Sequence, residues 1–241
     1  MPPRIFVGDD VRALSPDSEY RLSANAARHV ALALRMRAGD ALTLFTGSGG
    51  EYAGTIERID ARDVIVRIDR HDPIERESAR PVTLAQSLIA AEMMDLVVRK
   101  AVELGAVAIA PIFAARSQAI GVERAGRRTA HWRQIAIAAC EQCGRNRVPG
   151  VRDIVTFDDW CESSSLATAA ILDSEAPQSL AVRARQSPPQ AIVVGPEGGF
   201  THEEVRSATA RGATPVHLAN RVLRSETAAI AALATLDAIG G

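Results

Sequence analysis

Lysine is almost missing from this chain. Of its 28 basic residues only Lys100 is a lysine, and the other 27 are arginines. Arginine carries a planar donor fork that suits phosphate. Yet 29 acidic residues bring the net charge to −1, which excludes a uniformly basic surface, so an anionic partner must be held by local clusters. Aromatic residues are only 4% of the chain, which argues against extensive base stacking. The three cysteines are Cys140, Cys143 and Cys161. Cys140 and Cys143 form a C-x-x-C, a spacing open to a redox or metal pair. They lie in the apolar helical stretch IAIAACEQCG, and no second C-x-x-C or histidine pair supplies the remaining zinc ligands, so no metal is expected. No apolar run approaches membrane-spanning length. The opening MPPRIFVGDD lacks the apolar segment of a secretion signal. A reduced, cytoplasmic setting without membrane contact is the expectation. Neither G-x-G-x-x-G nor G-x-x-x-x-G-K-[ST] occurs, so neither a dinucleotide fold of the Rossmann kind nor a P-loop is supported.

The chain has 241 residues and 47% hydrophobic content, enough for one large domain or two smaller ones. The first seventy residues read mostly as strands. Ala41–Gly47, Glu51–Ile59 and Asp63–Asp69 are short, rich in β-branched residues and partly alternating, with turns at Gly47–Gly50 and Asp60–Arg62. A short helix capped by Ser23 precedes them. This predicts a small β-barrel or curled sheet over residues 1–72. Residues 73–81 complete a polar stretch with a proline near each end and read as a linker. From Val82 to the end, strands alternate with helices. In EMMDLVVRKAVELG, Met94, Val97, Val98, Ala101 and Val102 follow helical spacing, and Gly105 is the stop. Further helices are expected near Ala130–Cys143, Leu180–Arg185, Thr201–Arg211 and Glu226–Ile239. The pattern predicts an α/β domain with a parallel sheet covered on both faces.

One crossing in that domain carries unusual chemistry. A strand ends at Gly195, and a helix begins at Thr201 with the T-x-x-E spacing of a capping box to Glu204, flanked by Phe200 and Val205 as a hydrophobic staple. Pro196, Glu197, Gly198 and Gly199 fill the gap, at the sheet edge where α/β folds bind ligands. The glycines permit close approach to the backbone. Glu197 disfavours a phosphate ligand and leaves a cationic or neutral one. A second strand-end loop, His217–Arg224, leads to a last helix that is apolar almost all round, with Ser225 as its expected N-cap and Glu226 near its positive end. Basic residues cluster elsewhere. Arg21, Arg28, His29, Arg35 and Arg37 stand in a stretch without an acid, and seven arginines lie between Gly121 and Arg152 against Glu123 and Glu141. Arg4, Arg145 and Arg147 join the first group as candidate RNA contacts.

IVVGPEGGFTHEE followed by LANRVLRSETA resembles the ribosomal small-subunit (16S) RNA uracil-N3 methyltransferases, of the SPOUT class of S-adenosylmethionine enzymes. MPPRIFV, HVALALRMRAGD, MMDLVVRKAVELG and WRQIAIAACEQCGRNRVP continue the resemblance in order over nearly the whole chain. It implies an N-terminal PUA-like RNA-binding barrel, a C-terminal trefoil-knotted α/β domain and a homodimer acting on ribosomal RNA or the small subunit. It also implies an S-adenosylmethionine pocket formed by three strand-end loops: Leu172; Val194, Gly195, Pro196, Glu197, Gly198 and Gly199; and Leu218, Ala219, Asn220, Val222 and Leu223. Among catalytic candidates Arg224 is first, for electrostatic stabilisation, with Glu226 and Glu197 as possible bases. Two departures stand out: Ala219 where many relatives have glycine, and Ala90, Ala91 and Glu92 where relatives often carry a lysine. The alternatives are a related enzyme methylating ribose 2′-O or a tRNA base, and a non-catalytic RNA-binding relative.

Overall fold

The computed structural model describes residues 2–8, 14–60, 63–118 and 122–240, the side chains of 122–124 excepted. The chain divides into two compact units, Met1–Glu77 with Cys140–Val148, and Ser78–Ala139 with Pro149–Gly241.

The first unit holds β1 (Arg4–Phe6), β2 (Glu19–Arg21), α1 (Ala24–Arg28), β3 (Ala41–Phe45), β4 (Glu51–Ile59) and β5 (Val64–Asp72). They form a five-stranded sheet in the order β1-β3-β4-β5-β2. Pairing is antiparallel except for β1 with β3. Alternation places Leu42, Leu44, Tyr52, Ile56, Val64, Val66 and Ile68 in one buried cluster with Ala27 and Val30 of the helical segment. The Ser23 side chain caps α1 by accepting from Ala26 N–H. A β-bulge falls at Ala53/Gly54. A Cβ on Gly54 would come within 2.9 Å of the Arg67 carbonyl, so only glycine allows the strands to meet there. β5 runs on to Asp72, beyond the expected end. Ala61 and Arg62 of the second expected turn lie outside the described residues, as do the side chains of Glu123 and Arg124.

The segment Cys140–Val148 was not expected in this unit. It is tied in by Phe6 N–H donating to Glu141 Oε1 at 3.0 Å, Val148 N–H to the Gly47 carbonyl at 3.0 Å, and Asn146 Nδ2 to the Ile74 carbonyl at 2.7 Å. Cys140 is buried here, and burial pushes its thiol up to about 12. That suppresses thiolate chemistry at Cys140.

The second unit contains β6 (Val82–Ser87), α2 (Ala91–Glu103), β7 (Ala106–Phe113), α3 (Val122–Cys143, its last turn belonging to the first unit), β8 (Gly150–Val151) and β9 (Val155–Thr156). It continues with α4 (Phe157–Ser163), β10 (Ala169–Leu172), α5 (Leu180–Gln186), β11 (Ala191–Val194), α6 (His202–Ala210), β12 (Thr214–Val216) and α7 (Ser225–Gly240). The sheet is parallel, in the order β12-β10-β11-β6-β7-β8, with β9 also on β7. One face packs Ala85, Ala110, Ile112, Ile171 and Val193 against Phe157 and Trp160 of α4 and Ala208 of α6. On α2 the helical stripe is buried as its spacing predicts, and α7 packs against α2, α5, β6 and β11.

Two expectations need correction. α3 starts at Val122 rather than near Ala130, because its first turns are polar and carry no apolar period to read. α4 was missed; it is one short segment, capped by Thr156 accepting from Asp159 N–H. Among the described residues no helix is long and apolar enough to cross a membrane.

Candidate active site

Strands β10, β11 and β12 end together at one edge of the parallel sheet, and their following loops enclose a cavity. Leu172 enters from the first loop; Val194, Gly195, Pro196, Glu197 and Gly199 from the second; and Leu218, Ala219, Val222 and Leu223 from the third. The sequence-predicted site is thus brought together, with two exceptions. Gly198 and Asn220 do not line the cavity. Gly198 faces the other way: its carbonyl accepts from Arg116 Nη1 at 2.8 Å, and a Cβ there would meet the Arg116 side chain at 3.3 Å.

The second loop is held from several sides. Its turn is closed by Gly199 N–H to the Pro196 carbonyl at 2.9 Å, with Gly199 at φ +67°. The capping box follows as expected: Thr201 Oγ1 accepts from Glu204 N–H at 3.1 Å, and Glu204 Oε2 accepts from Thr201 N–H at 2.8 Å. Phe200 and Val205 pack on the same buried cluster. Glu197 Oε1 accepts from Ala90 N–H at 3.0 Å and from Gln118 Nε2 at 3.4 Å. Ala90 is the N-cap of α2 and has no side-chain cap of its own. Glu197 supplies the side-chain acceptor that the alanine at this N-cap cannot provide, beside Glu92 in the first turn. That duty weighs against its use as a base.

Ser225 does not act as the expected N-cap. It is the first residue of α7, and its hydroxyl donates to the Gly195 carbonyl at 2.6 Å while accepting from Gln86 Nε2 at 2.9 Å. Ser225 and Gln86 are buried, so this pair fixes the β11 loop from below. Ala219 is not among the non-glycine residues with positive φ, so its methyl brings no backbone strain.

Asp173, His217 and Arg221 also line the cavity and were missed. Each sits beside a residue that was identified, so their place in the strand-end loops was the available signal. His217 Nδ1 lies 2.8 Å from the Ala176 carbonyl, and Asp173 N–H donates to Val216 O at 3.0 Å, which ties the first and third loops together. Arg224 lies between two lining residues, Leu223 and Ser225, and is exposed. Its guanidinium has no hydrogen bond or ion pair to any described residue, while its carbonyl accepts from Ala228 N–H at 2.8 Å. Glu226 is half-buried in the first turn of α7 and does not line the cavity.

The RNA candidates divide. Arg21, Arg28, His29, Arg35, Arg37 and Arg147 are exposed. Arg21 pairs with Asp63 at 3.2 Å and Arg147 with Glu75 at 3.2 Å, while Arg28 Nη2 donates to Asn25 Oδ1 at 2.7 Å. Arg4 and Arg145 are buried instead. Arg4 donates to Glu51 at 2.6 Å and to Asn146, with its guanidinium 4.9 Å from the Phe45 ring centre. Arg145 is paired with Glu77. Both guanidinium groups are spent inside the first unit, because a buried charge must be paired. They are not surface contacts for RNA.

Glu51 records that pairing. Burial alone would raise its pKa, but hydrogen bonds from Arg76, Arg4 and Asn146 outweigh it and bring the group down to about 2. A depressed carboxylate contributes stability above its unfolded pKa, which is lost as pH falls through the folded value. Denaturation between pH 6 and pH 2.5 should therefore show stability falling below about pH 4.5, and Glu51→Gln should flatten that fall while lowering stability at pH 6. An unchanged acid profile in Glu51→Gln would refute the role.

Residues 76–237 match the family described as the RNA methyltransferase domain, and residues 22–69 the RNA methyltransferase PUA domain. A solved structure of ribosomal RNA small subunit methyltransferase E from Neisseria gonorrhoeae bound to S-adenosyl methionine is 32% identical and covers 99% of this chain and 98% of that one, with a TM-score of 0.91. A methyltransferase from Legionella pneumophila, in complex with the bound cofactor SAM, is 37% identical over 100% of this chain and 98% of that one, with a TM-score of 0.93. Ribosomal RNA small subunit methyltransferase E of Mycobacterium tuberculosis is 30% identical, covering 88% of this chain and 83% of its own length. Fold and site together define an RNA methyltransferase, with an N-terminal PUA β domain and a C-terminal α/β methyltransferase domain. The chain belongs to the ribosomal RNA small subunit methyltransferase E family.

Proposed function

We propose that this protein methylates N3 of a uridine in small-subunit ribosomal RNA, using S-adenosylmethionine, as a cytoplasmic homodimer. The observation that carries the reading is the cavity formed by three strand-end loops with an unengaged arginine at its margin.

The lining suits the cofactor. Leu172, Val194, Leu218 and Leu223 offer apolar surface for the adenine, and backbone groups of the Gly195–Gly199 turn lie at the wall. Asp173 and Glu197 line the same cavity together with His217 and Arg221, and the two acids are compatible with a sulfonium and ribose hydroxyls. When bound, S-adenosylmethionine supplies an electrophilic methyl group in line with its departing thioether.

The protein's own task concerns the uracil. Its neutral imide nitrogen carries a proton and lacks an available lone pair, so N3 must lose that proton before or during attack. Negative charge then spreads onto O2 and O4, and a fixed cationic donor lowers the cost. Arg224 fills that role: it is exposed, lacks any partner among the described residues, and its backbone is pinned by the start of α7. Glu226 remains the carboxylate candidate for accepting the proton, since Glu197 is committed to the α2 amide.

Nucleoside mass spectrometry of 16S RNA from cells lacking the protein tests the assignment. N3-methyluridine should be lost, and purified protein with S-adenosylmethionine should restore it on the undermethylated small subunit. Persistence of N3-methyluridine, or loss of a ribose 2′-O-methyl instead, refutes it.

The dimer rests on α7. Ala229, Ala232, Leu233 and Leu236 are buried within the chain, yet Ile230, Ala231 and Ala234 on its other side are only half-buried. A second copy related by a two-fold axis covers such a surface. Sedimentation at micromolar concentration should give a dimer mass, and a monomer would contradict the proposal.

A further inference from the structure

One amide is buried in the sheet of the second unit without a full set of partners. Gln86 lies on β6, which pairs with β11 on one side and β7 on the other. It is 0% exposed, and its chain neighbours Ala85 and Ser87 and its register partner Val194 are buried with it. Its amide nitrogen donates to the Ser87 carbonyl and to Ser225 Oγ, each at 2.9 Å. A carbonyl accepts only from a donor, so these surroundings tell the amide nitrogen from the oxygen. Gln86 Oε1 and Ser87 Oγ have no hydrogen-bond partner among the described residues. A half-satisfied amide in a sheet interior is worse for stability than an apolar side chain of the same shape. Folding therefore gives no reason for a glutamine here, and the reason lies with what its nitrogen holds.

That nitrogen begins a relay. Gln86 Nε2 donates to Ser225 Oγ, and Ser225 Oγ donates to the Gly195 carbonyl at 2.6 Å. A hydroxyl has one proton, and here it is directed at Gly195 while the amide occupies a lone pair. Bonds in such a chain polarise one another. Two parts of the site meet at this hydroxyl. Gly195 is part of the cavity wall, and the direction of its carbonyl fixes the plane of the peptide leading to Pro196. Ser225 is the first residue of α7 and directly follows Arg224. The Arg224 guanidinium is exposed and has no partner among the described residues, so its placement depends on the backbone it stands on. The spacing between cofactor wall and arginine is set through one buried hydroxyl, and Gln86 sets the direction of that hydroxyl.

Resting on the reading of Arg224 as the charge-stabilising residue, we propose that Gln86 is a positioning residue that acts through Ser225 on both the cofactor wall at Gly195 and the placement of Arg224. It touches neither cofactor nor RNA. Its loss leaves the fold intact and impairs cofactor binding and methyl transfer together.

Gln86→Met keeps the length of the side chain and removes the amide. Three quantities are measured on the full chain: the melting temperature, the affinity for S-adenosylmethionine by calorimetry, and the single-turnover rate at saturating RNA and cofactor. The melting temperature should stay at or above that of the wild type. Affinity should fall about tenfold, the scale of one lost hydrogen bond, and the saturated rate about tenfold, from a misplaced arginine. Ser225→Ala breaks the same relay from its other end and should show both losses, which keeps the test open if Gln86→Met melts early. The double variant should be no worse than either single one, because residues that act as one unit are not additive. Additive losses overturn the relay. A lower melting temperature with normal affinity and rate makes Gln86 a packing residue and overturns its positioning role. Weaker cofactor binding with an unchanged saturated rate confines Gln86 to the cofactor wall and overturns the coupling to Arg224. Failure of the underlying reading shows elsewhere, as a near-wild-type rate in Arg224→Ala or as no cofactor binding by the unaltered protein.

Discussion

Arg224→Ala should slow single-turnover methylation about a hundredfold at saturating RNA and cofactor, the scale of one lost donor to a developing anion. Affinity for S-adenosylmethionine and for RNA should stay near wild type. The reasoning is positional. Arg224 stands between Leu223 and Ser225, both of which line the cavity, but does not itself line it. Its guanidinium is exposed, so no described carboxylate is left unpaired by its removal. Its carbonyl still accepts from Ala228 N–H at 2.8 Å, so the loop leading into α7 keeps its anchor without the side chain. A structural arginine would instead show its loss in thermal stability. Arg224→Lys separates charge from shape: it retains the cation but not the planar fork, so an intermediate rate is expected. A near-wild-type single-turnover rate in Arg224→Ala would move charge stabilisation to backbone donors or, in the proposed dimer, to the second protomer.

Local chemistry was legible where one stretch determines its own structure. The capping box at Thr201 and Glu204 and the buried stripe of α2 follow from short-range spacing, whereas the gathering of three strand-end loops was legible only through the family resemblance. Partnership across long separations was not legible. Arg4 and Arg145 have the same composition signal as the exposed arginines, but their partners Glu51 and Glu77 lie far away in sequence, and a charge count does not distinguish a paired guanidinium from a free one. The same reason hides the role of Glu197. Its amide partner is Ala90, the start of a different helix. Ser225 was misread for a related cause: a hydroxyl at a helix start suggests a cap, but the Gly195 carbonyl, brought there by the fold, is the stronger claim on it. The strand order β12-β10-β11-β6 and the insertion of Cys140–Val148 into the first unit are properties of the whole path. Periodicity carries no information about them.

The glycines of the Gly195–Gly199 turn are unequal, and their substitution should separate ligand binding from packing. Gly195 lines the cavity, and its carbonyl is held by Ser225 at 2.6 Å. A Cβ there would approach the Phe200 backbone nitrogen to 3.1 Å, against a segment fixed by the capping box, so the strain falls on the turn itself. Gly195→Val should reduce affinity for S-adenosylmethionine about a hundredfold, the upper part of the usual 1–3 kcal/mol for overpacking. The sheet should remain folded, because Ile192 and Val193 are fully buried one and two residues before the loop's first wall residue. At Gly198 the added Cβ would meet only the flexible Arg116 side chain at 3.3 Å, outside the cavity. Gly198→Ala should therefore bind the cofactor nearly as well as the wild type, within the ±0.5 kcal/mol typical of surface changes. Calorimetry on the two folded variants checks the pair. Equal losses in both would mean that the turn acts as a single rigid unit, and unchanged affinity in Gly195→Val would remove this loop from the cofactor site.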